Sequence, residues 1–304
     1  MSPVARVAAQ AKVNLLLRVL AREESGFHSI ETVFLRLTLA DEVIVRVGDQ
    51  VHERSLDCAG GAVPSDGLGP TESNLAYRAA CAYADATGWP GKFAIELTKD
   101  IPVGAGLGGG SADAGAVLRA LDALSPAPLG RRLAEVGGKL GADVPFMTLD
   151  SPMALAWGRG DRLLPLQVLA ARRVVIVIPS FRVPTKEAYA WLANDRGIYE
   201  SRSAVLSPAD LDTWEGVAAV AQNEFEPVVS RRHPEISGYV EWLRSSGALP
   251  AMLSGSGSAV FGVFATLEGA EAAARAGASA PRDVTARRIT SSTAARVQRV
   301  ETSS

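Results

Sequence analysis

The sequence predicts an α+β protein of two domains with mixed and antiparallel sheets, and two observations indicate this class. Short segments of alternating apolar residues, typical of β-strands, occur together with longer segments of helical periodicity. The two kinds of segment do not alternate regularly along the chain, so a regular βαβ arrangement is not expected. The 304 residues are enough for two such domains, and we place them at residues 1–165 and 166–304.

The first domain begins with strands rich in Val, Ile, Leu, Phe and Thr at near period 2. Ser73 is the expected cap of the next helix, and Gly88 is its expected end. A loop rich in Gly and Pro precedes that helix, at residues 48–72. The expected elements are strands over 4–9 and 12–20, two strands within 32–47, a helix over 74–88, a strand over 92–100, helices over 111–124 and 131–141, and a hairpin over 153–166.

The second domain is expected to open with the apolar strand "RRVVIVIPSF", which begins at Arg172. Its remaining pattern predicts both helices and strands, with a glycine-serine turn between the apolar segments of "PAMLSGSGSAVFGVF". The helices are expected over residues 185–195, 217–230, 234–246 and 267–277, and the last strand over 284–290.

Composition excludes several classes of function. The formal net charge of −2 argues against a dedicated nucleic-acid partner, which would usually need a basic excess. Cys58 and Cys81 lack metal-ligand spacing and are too few for a disulfide framework, so we expect a reducing, cytoplasmic setting. No apolar run approaches the ~18–20 residues that span a bilayer, and no membrane partner is expected.

The stretch "IPVGAGLGGGSADAG" holds six glycines between Gly104 and Gly115, where a strand ends and a helix begins. A loop without Cβ atoms can approach a polyphosphate closely and point its N–H groups at the anion. The unpaired N–H groups of the following helix add to such a site. Ser111 places a hydroxyl there, suited to a phosphate oxygen or to a phosphate-bound Mg²⁺, and Asp113 is suited to cap the helix or to hold the loop.

Three other interpretations of the loop compete with a phosphate site of this kind. A flexible linker would be richer in serine and would not join a good strand to a good helix. The spacing Gly104-x-Gly106-x-x-Gly109 matches a dinucleotide fingerprint, but the preceding strand ends polar, with Pro102, and does not open the fold. A Walker loop fails because no Gly-Lys-Ser/Thr follows.

The whole phrase P-x-G-A-G-L-G-G-G-S-A-D-A at residues 102–114 resembles the ATP-binding motif of the GHMP kinases. Two further motifs of that family appear in the expected order: "AQAKVNLLLRVL" near the N-terminus and "LSGSGSAVFGVF" at 253–264. The similarity runs from about Ala11 to Phe264. Segments at 11–43, 141–147, 158–166, 179–192 and 223–229 are most similar to a member that phosphorylates a cytidyl diphosphate acceptor.

The resemblance implies a GHMP kinase fold with the site in a cleft between an N-terminal ATP-binding domain and a C-terminal domain. It implies that Lys12 and Asp143 are catalytic, the carboxylate accepting or orienting the acceptor hydroxyl's proton and the lysine stabilising charge. The competing interpretations are an exposed lysine whose stem lies along the surface and an aspartate that caps a helix or forms a turn. No metal site built from the protein's own side chains is expected.

The same resemblance implies the residues that contact the two substrates. Phe27 and Tyr189 would stack on the cytosine ring and His28 would hydrogen-bond it, although ordinary core packing of both rings is the alternative. The remaining acceptor residues implied are Asn14, Thr185, Gly255 and Ser256. The ATP-binding residues implied are Asn74, Lys99, Pro102, Gly104, Gly106, Leu107, Gly108, Gly109, Gly110 and Ser111.

The chain departs from the family pattern at two positions. Phe27 stands where tyrosine is usual, and Ala112 stands where a second serine is more common, so each position loses one hydroxyl. The alternatives for Asn74 and Lys99 are a helix cap and a surface position, and for Gly255 and Ser256 a plain β-turn.

The expected function is ATP- and Mg²⁺-dependent phosphorylation of the 2-hydroxyl of a cytidyl-diphosphate-linked methylerythritol, a step of isoprenoid biosynthesis. The partners expected are this acceptor and ATP, and the protein is expected to be a monomer or a weak homodimer. Two alternatives stay open: another GHMP kinase of the homoserine or mevalonate type, and a catalytically inactive nucleotide-binding protein on the same fold.

Overall fold

The structure of the chain is a computed structural model that describes residues 3–22, 28–64, 67–195, 206–275 and 286–303. Phe27, one of the expected acceptor residues, lies outside the described residues. The described residues form two sheets with helices packed against them, which confirms the α+β class.

Two long strands, β1 (Val4–Arg22) and β2 (His28–Val47), form the centre of the first sheet. They pair antiparallel along almost their whole length, with register shifts after Gln10, Asn14 and Val19. The gap expected between the strands over 4–9 and 12–20 coincides with the shift after Gln10, whereas pairing in the region 32–47 continues unbroken through Ala40 and Asp41. The expected division of each region into two strands is therefore wrong, since a bulge bends the ladder without ending it.

Six shorter strands complete the first sheet around β1 and β2. The main path runs β12-β1-β2-β4-β3, while β5 pairs with β2 and β6, and β8 pairs parallel with β1. The strands are β3 (Ser55–Ala59), β4 (Phe93–Thr98), β5 (Met153–Gly158), β6 (Arg162–Pro165), β8 (Gln222–Asn223) and β12 (Glu301–Ser303). Both β8 and β12 lie beyond residue 166, and the domain boundary at 165/166 stays a prediction.

Four helices pack with the first sheet: α1 (Leu75–Thr87), α2 (Gly109–Leu124), α3 (Leu133–Gly138) and α4 (Val144–Thr148). Helix α1 begins where the Asn74 side chain accepts a hydrogen bond from the N–H of Ala76, so Asn74 and not Ser73 is its cap. It ends at Gly88, whose φ of 75° is left-handed. Helix α2 is buried from Ala112 to Leu121 because it lies between β1, α1 and α4.

The second sheet has the antiparallel order β11-β7-β10-β9. Its strands are β7 (Arg173–Ile178), β9 (Ala251–Leu253), β10 (Val260–Phe264) and β11 (Arg287–Ser292). The helices of this part are α5 (Thr185–Asp195), α6 (Trp214–Val220), α7 (Phe225–Arg232), α8 (Glu235–Ser245) and α9 (Leu267–Arg275).

The helix expected over residues 217–230 is two helices in the structure, with β8 between them. Asn223 breaks the helical path because its side chain donates to the carbonyls of Leu253 and Gly255, at 2.9 and 2.8 Å. This amide joins the first sheet to the turn after β9. The pattern of apolar residues could not show such a contact, since its partners lie 30 residues away.

Within the described ranges, no helix combines the length and the apolar character that crossing a membrane requires.

Gly115, the last of the six glycines that begin at Gly104, lies in the interior of α2 and faces α4. A Cβ there would lie 2.4 Å from the Cβ of Met147 and 2.8 Å from its carbonyl carbon. This glycine therefore allows α2 and α4 to approach closely, a role separate from phosphate binding.

Overpacking usually costs about 1–3 kcal/mol, and the advantage of alanine over glycine inside a helix offsets about 1 kcal/mol of this cost. Gly115→Ala is therefore expected to lower the free energy of unfolding by up to about 2 kcal/mol. Urea denaturation measures the change. Gly61→Ala is the matched control, because nothing lies within 4 Å of a Cβ at that position. Equal stability of the Gly115→Ala variant and the wild type would contradict the close packing.

Candidate active site

A cavity of about 750 Å³ lies where loops of the first sheet face α5, α7 and the turn after β9. Every expected site residue except Phe27 lines this cavity. The expected residues at its wall are Lys12, Asn14, His28, Asn74, Lys99, Pro102, Gly104, Gly106, Leu107, Gly108, Gly109, Gly110, Ser111, Asp143, Thr185, Tyr189, Gly255 and Ser256. Other residues line it as well, among them Asp113, Ala142, Arg159 and Phe225.

The glycine loop reaches the cavity because two of its glycines lie against other parts of the chain. Gly106 has a φ of 81°, and a Cβ there would lie 2.2 Å from the carbonyl oxygen of Ser254. Gly108 has a φ of 71°, and a Cβ there would lie 2.9 Å from the Lys12 side chain. The Lys12 N–H donates to the carbonyl of Leu107 over 2.9 Å, which ties the loop to β1. The first turn of α2 therefore opens at the cavity with its N–H groups free of capping side chains.

Lys12 and Asp143 form an ion pair in the wall of the cavity, with Nζ 3.2 Å from Oδ2. Lys12 is only 4% exposed, so the interpretation as a surface lysine is wrong. Its ammonium also donates to Asn14 Oδ1 at 2.7 Å, and Asn14 in turn donates to Thr32 Oγ1 at 2.8 Å. This chain of bonds fixes the ammonium in one position.

Asp143 occupies the N-cap position of α4, but its carboxylate makes no capping hydrogen bond. The carboxylate is instead turned toward Lys12, half-buried at the cavity wall. A carboxylate that is not used by the backbone keeps its acceptor capacity for a bound hydroxyl. The geometry therefore allows Asp143 to accept a proton from a substrate held in the cavity.

Aromatic rings form the opposite end of the cavity. His28 stacks on Tyr189 with ring centroids 4.1 Å apart and an angle of 20° between the planes, and Phe225 meets Tyr189 edge-on at 4.9 Å. Burial, together with the negative charge of Asp143, raises the pKa of Tyr189 to about 12. Thr185 Oγ1 and Ser256 Oγ lie 3.0 Å apart between the rings and the turn after β9.

The position of the His28 ring bears on how a base could bind. The resemblance implies that His28 hydrogen-bonds the base and that Tyr189 stacks on it, and in the structure the two rings lie on each other. A base that stacks on this face of Tyr189 must therefore displace the His28 ring. The part of the expectation that concerns Phe27 lies outside the described residues.

A buried cluster of one lysine and two carboxylates lies beside the glycine loop. The Lys99 ammonium donates to Asp41 and, at 2.6 Å, to Asp113. Asp41 also accepts from the backbone N–H groups of Asp100 and Ile101, at 2.6 and 2.7 Å. Lys99 is 2% exposed, so the surface interpretation of this residue is wrong. Through Asp41, its ammonium fixes the backbone that leads into the glycine loop, and its side chain lines the cavity.

The cluster also decides between the two sequence-based roles of Asp113. Gly108 occupies the N-cap position of α2, so Asp113 does not cap the helix but holds it to Lys99. Asp41 was not predicted as part of the site. Its only signal in the sequence is that an acidic residue lies inside a long apolar strand. Charged residues are almost never fully buried unless they are paired, so such a residue indicates a buried partner.

The carboxylates of Asp113 and Asp41 raise the pKa of Lys99 against the opposing effect of burial. Burial, with a contribution from the charge of Asp41, raises the pKa of Asp113 above its ordinary value of 3.8. The Oδ1 atom of Asp113 is buried and has no hydrogen-bond partner among the described residues. The folded protein therefore takes up a proton on Asp113 more readily than the unfolded chain does.

Sequence and structure comparisons place the fold in a known family. Residues 74–151 match the GHMP kinases N terminal domain, and residues 209–283 match the GHMP kinases C terminal domain. The 4-diphosphocytidyl-2-C-methyl-D-erythritol kinase of Geobacter sp. (strain M21) is 39% identical over 260 residues, which cover 85% of this chain and 89% of that protein.

Two crystal structures resemble the chain over almost its whole length. A 4-(cytidine 5'-diphospho)-2C-methyl-D-erythritol kinase is 36% identical, with a TM-score of 0.74 and coverage of 95% of this chain and 98% of that one. The homoserine kinase of Cytophaga hutchinsonii is 19% identical, with a TM-score of 0.71 and coverage of 99% and 97%, and shares the fold.

The chain therefore belongs to the GHMP kinase family, and it is an ATP-dependent small-molecule kinase. Within that family it belongs with the 4-diphosphocytidyl-2-C-methyl-D-erythritol kinases. The fold and the enzyme class that the sequence motifs predict are thereby confirmed.

Asp113→Asn is expected to flatten the dependence of stability on pH. A carboxyl whose pKa is raised in the folded state contributes stability that is complete below the unfolded pKa and is lost as pH rises through the folded pKa. The melting temperature of the wild type should therefore fall more than that of the variant between about pH 5 and about pH 9. Asp100→Asn, at an exposed neighbouring position, is the control and should keep the wild-type dependence. Parallel curves for the wild type and Asp113→Asn would contradict the assignment.

Proposed function

We propose that the chain transfers the γ-phosphoryl group of ATP to the 2-hydroxyl of 4-diphosphocytidyl-2-C-methyl-D-erythritol, a step of isoprenoid biosynthesis, with release of ADP. The observation that carries this proposal is the ion pair of Lys12 and Asp143, which lies in one cavity with the glycine loop and the aromatic residues. Production of ADP that depends on the cytidyl acceptor tests it directly. An inactive nucleotide-binding protein would bind ATP without turnover.

The glycine loop and the first turn of α2 are the proposed site for the phosphates of ATP. N–H groups at a helix N-terminus point at an anion and add the favourable end of the helix dipole. Gly108 ends the loop immediately before α2, and Ser111 lies in the first turn with its side chain partly exposed at the cavity. Asn74, at the start of α1, would contact the nucleoside through the amide hydrogens that its capping bond leaves unused.

The side chains present fit a Mg²⁺ ion that is held mainly by the phosphates of ATP. Mg²⁺ prefers oxygen ligands and keeps several waters, so one or two protein oxygens suffice. Ser111 and Asp143 line the cavity with such oxygens, and the described residues include no group of three or more His, Cys, Asp or Glu arranged to hold a metal on their own. When bound, the ion would neutralise part of the charge on the phosphates.

The proposed chemistry uses the ion pair as a unit. Asp143 accepts the proton of the 2-hydroxyl, whose oxygen forms a bond to the γ-phosphorus while the bond to the β-phosphate oxygen breaks. Lys12, fixed by Asn14, stabilises the negative charge on the transferring group. ADP carries away the electron pair of the broken bond.

The aromatic end of the cavity would recognise the cytidyl group. Every base presents a flat face that stacks on an aromatic ring, and Tyr189 lies on the same cavity as Asp143. Thr185, Gly255 and Ser256 lie between the two ends and would contact the diphosphate of the acceptor. The acceptors of a homoserine or mevalonate kinase carry no base, which is why these rings favour the cytidyl acceptor.

We also infer a cytoplasmic setting and a monomer or weak homodimer, with no nucleic-acid or membrane partner. The two cysteines support the setting, since Cys58 and Cys81 are free thiols and a reducing compartment preserves them.

Asp143→Ala is expected to lower kcat by about 10²–10⁴-fold, the usual contribution of a general base. The KM for ATP should stay nearly unchanged, because the interaction matters in the transition state more than in the bound state. Steady-state kinetics with both substrates varied measures this. Asp150→Ala, which removes an exposed carboxylate just beyond α4, is the control. A variant that keeps more than about a tenth of the wild-type kcat would exclude Asp143 from this role.

Tyr189→Ala is expected to raise the KM for the cytidyl acceptor by about 5- to 150-fold, since one base–aromatic stack contributes ~1–3 kcal/mol. The KM for ATP should not change. Trp191→Ala is the control, because Trp191 lies on the same helix but does not line the cavity.

Inhibition by CDP tests whether the acceptor carries a cytidyl group, unlike other acceptors of the family. CDP should compete with the acceptor and not with ATP. If CDP competes with ATP alone and Tyr189→Ala leaves the acceptor KM unchanged, the kinase fold stands and the cytidyl acceptor is wrong.

A further inference from the structure

Helix α4 carries the proposed catalytic carboxylate at its N-terminal end, yet it has only five residues, Val144–Thr148. Isolated helices of this length are not stable in water, so packing and hydrogen bonds from elsewhere must hold it. The position of Asp143 therefore depends on whatever fixes the other end of α4.

Arg36, on β2, binds that other end. Its Nη2 atom donates to the carbonyl of Phe146 at 2.9 Å and to the carbonyl of Leu149 at 3.2 Å. The Phe146 carbonyl lies in the last turn of α4 and also accepts from the Leu149 N–H at 3.1 Å, while the Leu149 carbonyl belongs to the residue that follows the helix. A positive charge is also favourable at the C-terminal end of a helix dipole. Arg36 thus meets the two requirements of a C-terminal capping side chain.

Ring contacts hold the same end of the helix against β2. The Arg36 guanidinium lies over the Phe146 ring, 4.9 Å from its centroid, and Phe146 stacks on Phe34 of β2 at 4.8 Å. A guanidinium stacked on an aromatic face is held in orientation as well as in position. The side chain of Phe146 is therefore enclosed between two residues of one strand.

The two ends of α4 are bound by a cross-strand pair. Lys12 and Arg36 are directly opposite each other in the register of β1 and β2, and directly opposite residues lie on the same face of a sheet. Lys12 holds Asp143 at the start of α4, while Arg36 holds the carbonyls at its end. These two side chains tie both ends of α4 to the sheet, while α2 and α3 pack along the helix.

The environment of Arg36 is unusual for a residue with only a packing role. Its side chain is 1% exposed, and it makes no ion pair with any carboxylate of the described residues. Burial, together with the charge of Arg119, lowers its pKa to about 9. Burying a charge in this way costs stability, and an apolar side chain would avoid the cost. The polar contacts that Arg36 makes here, and that an apolar side chain would lose, are its hydrogen bonds to the carbonyls of Phe146 and Leu149.

We propose that Arg36 is a positioning residue for phosphoryl transfer: it fixes α4 so that the carboxylate of Asp143 stays against Lys12 at the cavity. The inference rests on the proposed role of Asp143. Displacement of a catalytic group by about 1 Å can lower a rate by about 100-fold. Loss of the contact between Arg36 and α4 is expected to lower kcat on this scale.

Arg36→Met tests the proposal, since methionine is unbranched and apolar and cannot donate to the carbonyls. We expect kcat to fall by about tenfold or more while the KM for ATP stays within about twofold. Arg36→Lys keeps a cation and a donor, so it should recover part of the lost kcat. The Lys variant carries the test alone if the Met variant does not fold, and it should then show a reduced kcat with an unchanged KM for ATP.

Arg119→Met is the matched control for the loss of a buried arginine. Arg119 is 8% exposed and donates to the carbonyl of Gln298, but it does not bind the carbonyls of α4. It should lower the melting temperature and leave kcat within about twofold of the wild type.

A double-mutant cycle separates positioning from a general structural effect. In the Asp143→Ala background, Arg36→Met should lower the residual kcat by less than about twofold, because its effect acts through the carboxylate. A full additional loss in that background, or a wild-type kcat in a folded Arg36→Met variant, would overturn the proposal. If instead Asp143→Ala itself keeps the wild-type rate, the proposed function of Asp143 fails, and the two failures are thereby distinguished.

Discussion

The backbone of the glycine loop lies directly against the backbone of the turn between β9 and β10, and the cavity exists because of this contact. Ser254 Oγ donates to the carbonyl of Gly106 at 2.9 Å, and the N–H of Ala259 donates to the carbonyl of Ala105 at 3.0 Å. A Cβ on Gly106 would overlap the Ser254 carbonyl oxygen. Only a glycine allows this separation, so a loop of one sheet and a turn of the other come to form one wall.

Buried cations attach the loops and helix ends around the cavity to the first sheet. Lys99 holds the start of the glycine loop through Asp41 and the start of α2 through Asp113. Lys12 binds Asp143, and Arg36 binds the end of α4. Buried ion pairs contribute little net stability because each charge gives up its hydration. Their role here is to fix positions, since each joins a loop or a helix end to the sheet.

The motifs of the sequence, with the family resemblance, were sufficient to predict the fold class and more than half of the cavity wall. The glycine loop stands in a local pattern whose chemistry is recognisable from neighbouring residues, whereas the expected roles of Lys12 and Asp143 came from the resemblance to the GHMP kinases. Asp41 and Arg36 were not predicted as part of the site, because a charged residue in an apolar strand shows no local sign of what it binds. Their partners lie 58 and 110 residues away, beyond the reach of any pattern based on spacing.

The sequence by itself determined the class of fold, the glycine loop before α2 and the position of most of the long apolar strands, because these depend on the residues' own conformational and apolar preferences. The tertiary structure alone decided the roles of individual charges. It placed Lys99 in a buried cluster instead of at the surface, and it turned Asp143 toward Lys12 instead of toward its own helix. It also set the His28 ring on Tyr189. The physical reason is the same in each case: a buried polar side chain takes the partner that the fold brings within hydrogen-bond distance, and that partner is distant in the chain.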